Sequence, residues 1–105
     1  MAIVTSPFVH QQRIAKGVAK ASQVLSPDVV HIRYSLDEDW SGSGAVFFRI
    51  LLSDQASDRA KLREVARRVS ATLVNEVQPD QLGLQAYSNF RSQSEQAKLQ
   101  EEAWA

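Results

Sequence analysis

The densest group of chemically capable side chains is the run Asp37-Glu38-Asp39-Trp40-Ser41-Gly42-Ser43-Gly44. Hard cations take carboxylate oxygens as ligands, so three adjacent acids invite a metal reading. No EF-hand spacing follows, and no further carboxylate completes a cage. The acids are therefore expected to be solvated. Gly42-Ser43-Gly44 lacks the Gly-Lys-Ser/Thr that a phosphate-cradling loop needs. Ser41 and Ser43 have no identifiable base, so neither reads as a nucleophile. The two histidines, His10 and His31, stand in no metal-ligand motif. No catalytic, metal or cofactor site is expected, and nothing in the chain points to an enzyme. Trp40 is different. Tryptophan is enriched among binding hot spots, and loop residues carry little packing duty. It either anchors a partner or folds back over a sheet edge.

The elements that must hold this loop are two patterned strands. Val30, Ile32, Tyr34 and Leu36 alternate with His31, Arg33 and Ser35 over Val29–Leu36, the pattern of a half-buried strand. Ala45–Leu52 is apolar except for Arg49, which suits a more central strand. Together they predict an antiparallel hairpin with the acidic run at its tip. Before it, Ile14, Val18, Ala21 and Leu25 recur at helical spacing, and Ser6-Pro7 suits a helix start. Ser26-Pro27-Asp28 ends that helix. After it, Leu62, Val65, Ala66, Val69 and Leu73 mark a second helix from about Asp58 to Glu76. Pro79–Gly83 is turn-rich, and Leu84–Phe90 reads as a third strand. Ser92-Gln93-Ser94-Glu95 is a capping box opening a short helix over about 93–104.

The order is α-β-β-α-β-α, an α+β two-layer sandwich. A right-handed crossover through the second helix returns the third strand parallel to the second. The three-stranded sheet should then carry both long helices on one face, with Leu62, Val69 and Phe48 between them. The opposite face would show His31, Arg33, Tyr87, Asn89 and Arg91, unless the C-terminal helix covers it.

At 105 residues the chain reads as one domain, 1–105. It contains no Cys, which fits a cytoplasmic protein. The N-terminus lacks a basic segment before its apolar residues, so no targeting or membrane segment is expected. Net charge is zero, but residues 1–25 carry three bases and no acid, and residues 59–74 carry five bases against Glu64 alone. Residues 26–58 carry six acids against two bases. Arg59, Arg63 and Arg67 fall at i, i+4, i+8, a stripe that can meet phosphate. With Tyr87 and Arg91 they are the candidate nucleic-acid contacts, weak and salt-sensitive because acidic segments offset them. The expected protein-contact surface is the tip, Asp37, Asp39 and Trp40, together with Leu99 and Trp104 near the C-terminus. A tryptophan on a short, weakly patterned helix should dock on its own sheet, on a second copy or on another protein.

The layout is similar to the type II KH arrangement of small RNA-binding proteins. Its G-x-x-G nucleotide clamp is absent here, since no glycine lies between Gly44 and Gly83. The stretches Asp39-Trp40-Ser41-Gly42, Ala45-Val46-Phe47-Phe48-Arg49, Asn89-Phe90-Arg91-Ser92, Ser94-Glu95-Gln96-Ala97 and Ala103-Trp104-Ala105 resemble a group of uncharacterised small bacterial α+β proteins. These are encoded near toxin–antitoxin-like genes, including HEPN-type ones. The resemblance spans roughly residues 28–105 and implies a partner-dependent role, antitoxin-like or accessory, with a toxin-like protein as partner. It assigns no catalytic residue. The reading is a non-catalytic protein–protein interaction module, with a homodimer as one form of partnership and an RNA-binding domain as the alternative.

Overall fold

A computed structural model describes residues 10–105. Helix α1 spans Gln11–Leu25. Strands β1 (Val29–Glu38) and β2 (Gly44–Leu52) form the hairpin, helix α2 (Leu62–Val77) crosses over, and β3 (Gln85–Ser92) returns. A short helix α3 (Gln93–Leu99) and a 3-10 turn (Glu102–Trp104) end the chain. The expected start of the first helix at Ser6-Pro7 lies outside the described residues.

The sheet has the order β1-β2-β3. β1 and β2 are antiparallel, and β3 lies parallel to β2. β2 is therefore central, which is why its sequence tolerates one charge and is otherwise apolar. The chain is an α+β two-layer structure with both long helices on one face. That face carries Leu36 from β1 and Val46, Phe48, Ile50 and Leu52 from β2, all buried. They pack in one core with Ile14, Val18, Ala21 and Leu25 of α1 and Val65, Val69, Leu73 and Val77 of α2.

Gly17 sets how closely the helices approach. A Cβ there would come within 2.7 Å of the Glu76 carbonyl oxygen and 2.9 Å of Val77 Cα. Only a residue without a side chain lets α1 sit this near the end of α2. Arg13 Nη1 then donates to the Glu76 carbonyl at 3.0 Å, occupying one of the acceptors that a helix end leaves unpaired.

Helix α2 begins later than Asp58. Residues 54–61 form successive turns. Ser53 holds the first of them: its hydroxyl accepts from the Ala56 N–H at 3.1 Å, and its carbonyl accepts from the Ser57 N–H at 3.0 Å. Ala56 is thereby driven into the core, where it is fully buried. The displaced start has a consequence for Leu62. It is the first residue of α2 and 39% exposed, so it stands at the margin of the layer beside Leu52 and Phe90, while Val65 and Val69 fill the interior. Arg59 likewise falls in the turns, so only Arg63 and Arg67 of the basic row stand on α2.

Candidate functional site: the second face of the sheet

Strand register sorts the side chains. Rows running across β1, β2 and β3 are Asp37–Ala45–Gln85, Ser35–Phe47–Tyr87, Arg33–Arg49–Asn89 and His31–Leu51–Arg91. Side chains of one row share a face. These four rows lie opposite the helices, so this face holds the aromatic, guanidinium and imidazole groups. It divides into two halves.

The half nearer the strand ends His31 and Arg91 is covered by the chain itself. The capping box opens α3: Ser92 Oγ accepts from the Glu95 N–H at 3.1 Å, and Glu95 Oε1 accepts from the Ser92 N–H at 3.1 Å. Asp54 anchors the same turn by accepting from the Ser94 N–H at 3.0 Å and the Ser94 hydroxyl at 2.7 Å. Those bonds hold the Asp54 carboxyl below its ordinary pKa. Helix α3 stops at Gln100, whose φ of 50° is left-handed. The remaining residues then turn back as a strap across the sheet.

Trp104 is the strap's plug, 8% exposed. The Arg91 guanidinium lies over its ring, 4.4 Å from the centroid, in a cation–π contact. Arg91 also pairs with Glu101 at 2.8 Å and donates to Gln96 Oε1 at 2.9 Å. Three sheet residues bind strap carbonyls. Arg49 Nε donates to Ala103 at 2.8 Å, His31 Nε2 lies 2.9 Å from the Trp104 carbonyl, and Arg33 donates to Ala105. A carbonyl can only accept, so His31 carries its proton on Nε2. Of the three docking places open to Trp104, the structure uses the chain's own sheet. Leu99, on α3, remains more than half exposed.

The other half stays open and ends at the hairpin tip. Asp39 organises that tip. Its Oδ1 accepts from the Ser41 hydroxyl at 2.6 Å, the Ser41 N–H at 2.9 Å and the Ser43 N–H at 3.0 Å. Its Oδ2 accepts from the Tyr87 hydroxyl at 2.9 Å. The Ser41 bond, aided by Tyr87 and the backbone, holds the Asp39 carboxyl below its ordinary pKa. The same carboxylate raises the Tyr87 phenol, chiefly through their hydrogen bond. Gly42 closes the turn with φ 84°, a backbone conformation L side chains rarely adopt.

Above this loop Trp40 is 85% exposed. Its ring centroid lies 5.3 Å from that of Tyr87, tilted by 52°, and Tyr87 stacks on Phe47 at 5.2 Å and 19°. The result is a three-ring row, Trp40–Tyr87–Phe47, beside Asp37. Asp39 is spent inside the loop; Asp37 and Glu38 are exposed. Trp40 thus leans on the sheet yet keeps nearly all its surface in water.

The predicted contact residues therefore separate. Asp37, Asp39 and Trp40 gather at one tip, whereas Trp104 and Arg91 form an internal contact at the far end. Arg59, Arg63 and Arg67 are exposed on the opposite, helical side, and Tyr87 joins the tip. Phe47 and Arg49 belong to the site as well; their odd-numbered positions on β2 were the available signal, masked by its apolar neighbours. Among the described residues no three His, Asp or Glu side chains gather as a metal site, and no helix is long and apolar enough to cross a membrane. No protein-family model matches the chain, and no curated protein matches it in sequence.

Proposed function

We propose that the chain is a small non-catalytic protein–protein interaction module whose contact surface is the hairpin tip. The observation that carries this is Trp40, 85% exposed on a loop held rigid by Asp39. A large apolar ring costs free energy in water, and a preorganised ring loses little entropy on binding. Backed by Tyr87 and Phe47, Trp40 has the features of a hot spot: an aromatic anchor on a stiff base. Asp37 and Glu38 beside it favour a partner with a basic patch and would speed encounter with it. The resemblance to proteins encoded near toxin–antitoxin-like genes supports an antitoxin-like or accessory member of a two-gene bacterial system, acting in the cytoplasm. The test is co-purification from the native host. A stoichiometric partner retained by the wild type and lost by a folded Trp40→Ala variant supports the reading; equal retention by both overturns it.

A second reading has one observation in its favour. Three adjoining rings, Tyr87 stacked on Phe47 and Trp40 tilted against Tyr87, are also a surface on which bases of single-stranded RNA can stack. Asp37 and Glu38 repel phosphate there, and Arg33, Arg49 and Arg91 are engaged by the strap. Binding in this mode would be weak and salt-sensitive. Tight binding of single-stranded RNA that survives high salt would promote this reading above the first.

A further inference from the structure

We infer that the outer edge of β1 is a homodimer interface, on which a second copy of the chain adds its own β1 antiparallel to the first. The paired strands are distinct from the aromatic row, although Asp37 and Glu38 border both surfaces; the mass in solution tests this inference, and partner retention by Trp40→Ala tests the function proposed for that row.

β1 is ten residues long and, among the described residues, pairs only with β2. An edge of this length presents a row of backbone groups ready to pair with another strand. Beside it lies a groove of about 850 Å³ between α1 and the start of β1. Its walls include Ala19, Ser22 and Ser26 of the α1 flank, with Val29 and Val30 from the strand. Val30 is 41% exposed. Ala19, Ser22 and Ser26 are small, while the long side chains of Lys16, Lys20 and Gln23 line the same groove.

Charge selects the occupant. Lys16 and Lys20 line the groove at the Val30 end, and Asp37 and Glu38 are exposed at the other end of the same strand. An antiparallel partner brings opposite ends together. Pairing centred on Tyr34 sets His31 against Asp37 on one face and Ile32 against Leu36 on the other. It also brings Glu38 of each copy to Val30 of the other, beside Lys16 and Lys20. The two-fold axis repeats this contact, so one complementarity is used twice. A register centred on Arg33 would oppose two like charges. Strand, groove and charge thus agree on one partner, a second copy.

Sedimentation equilibrium across micromolar to submillimolar protein tests this with charge reversal. The wild type is expected to reach twice the chain mass of 11.7 kDa. Glu38→Lys and the double variant Lys16→Glu/Lys20→Glu should each associate roughly tenfold more weakly or worse. Mixed one to one, the two variants should recover a dimer, because every contact in the heterodimer again joins opposite charges. All three positions are exposed, and circular dichroism checks that each variant is folded. A wild type that remains at 11.7 kDa throughout overturns the inference. So does a dimer indifferent to both reversals, or a monomer whose β1 amides resist hydrogen exchange, which would mean that another part of the chain covers the edge.

Discussion

Replacing Trp104 by alanine separates a docked strap from a loose one. In an enclosed core, truncating a large aromatic costs about 3–5 kcal/mol. The strap lies against one side of a sheet and can leave, so the loss is capped by the strap's own docking energy. That docking is opposed by ordering the five residues 101–105, each costing about 1–2 kcal/mol of backbone entropy. The expected destabilisation is therefore about 2 kcal/mol, lowering Tm by roughly 8–15 °C in a domain of this size. Fluorescence gives an independent reading, since the chain has two tryptophans. Trp40→Ala should leave blue-shifted, poorly quenched emission from Trp104, and Trp104→Ala should leave red-shifted, readily quenched emission from Trp40. Unchanged melting in Trp104→Ala, with both variants equally quenched, would refute the docked strap. It would also return Arg33, Arg49 and Arg91 to solvent.

Phe48→Ala should cost about 3–5 kcal/mol and Leu62→Ala under about 1 kcal/mol, since only Phe48 is enclosed; urea denaturation compares them. Gly17→Ala should destabilise by about 1–3 kcal/mol despite alanine's better helix propensity, because its Cβ meets the backbone of Glu76 and Val77. Suppressed Tm in that variant, measured by calorimetry, is the check. Asp39 is held below its ordinary pKa in the folded chain, so its contribution is present above the unfolded carboxylate pKa and is lost as pH falls through the folded one. Acidification should release the Tyr87 hydroxyl and alter Trp40 emission before global unfolding, whereas Asp39→Asn should not show that step.

Hydrophobic period was enough to read the order of elements, the hairpin and the central place of β2, because alternation of two and recurrence of 3.6 follow directly from backbone geometry. The same alternation by itself puts His31, Arg33, Tyr87, Asn89 and Arg91 on one face. The start of α2 was not readable, because nothing local to residues 54–61 says that Ala56 will be drawn into a core built by distant strands. Leu62 falls at the margin for the same reason: helical spacing shows which residues share a stripe but not where the stripe leaves the buried layer. The strap is the clearest case. Its own residues show only a capping box and a late tryptophan. The carbonyl partners His31, Arg33 and Arg49 and the guanidinium of Arg91 come together only when three strands align in register. Local sequence therefore determined which elements form and which side chains share a face. Tertiary structure alone decided which half of that face the chain covers, because covering it depends on contacts between residues more than fifty positions apart.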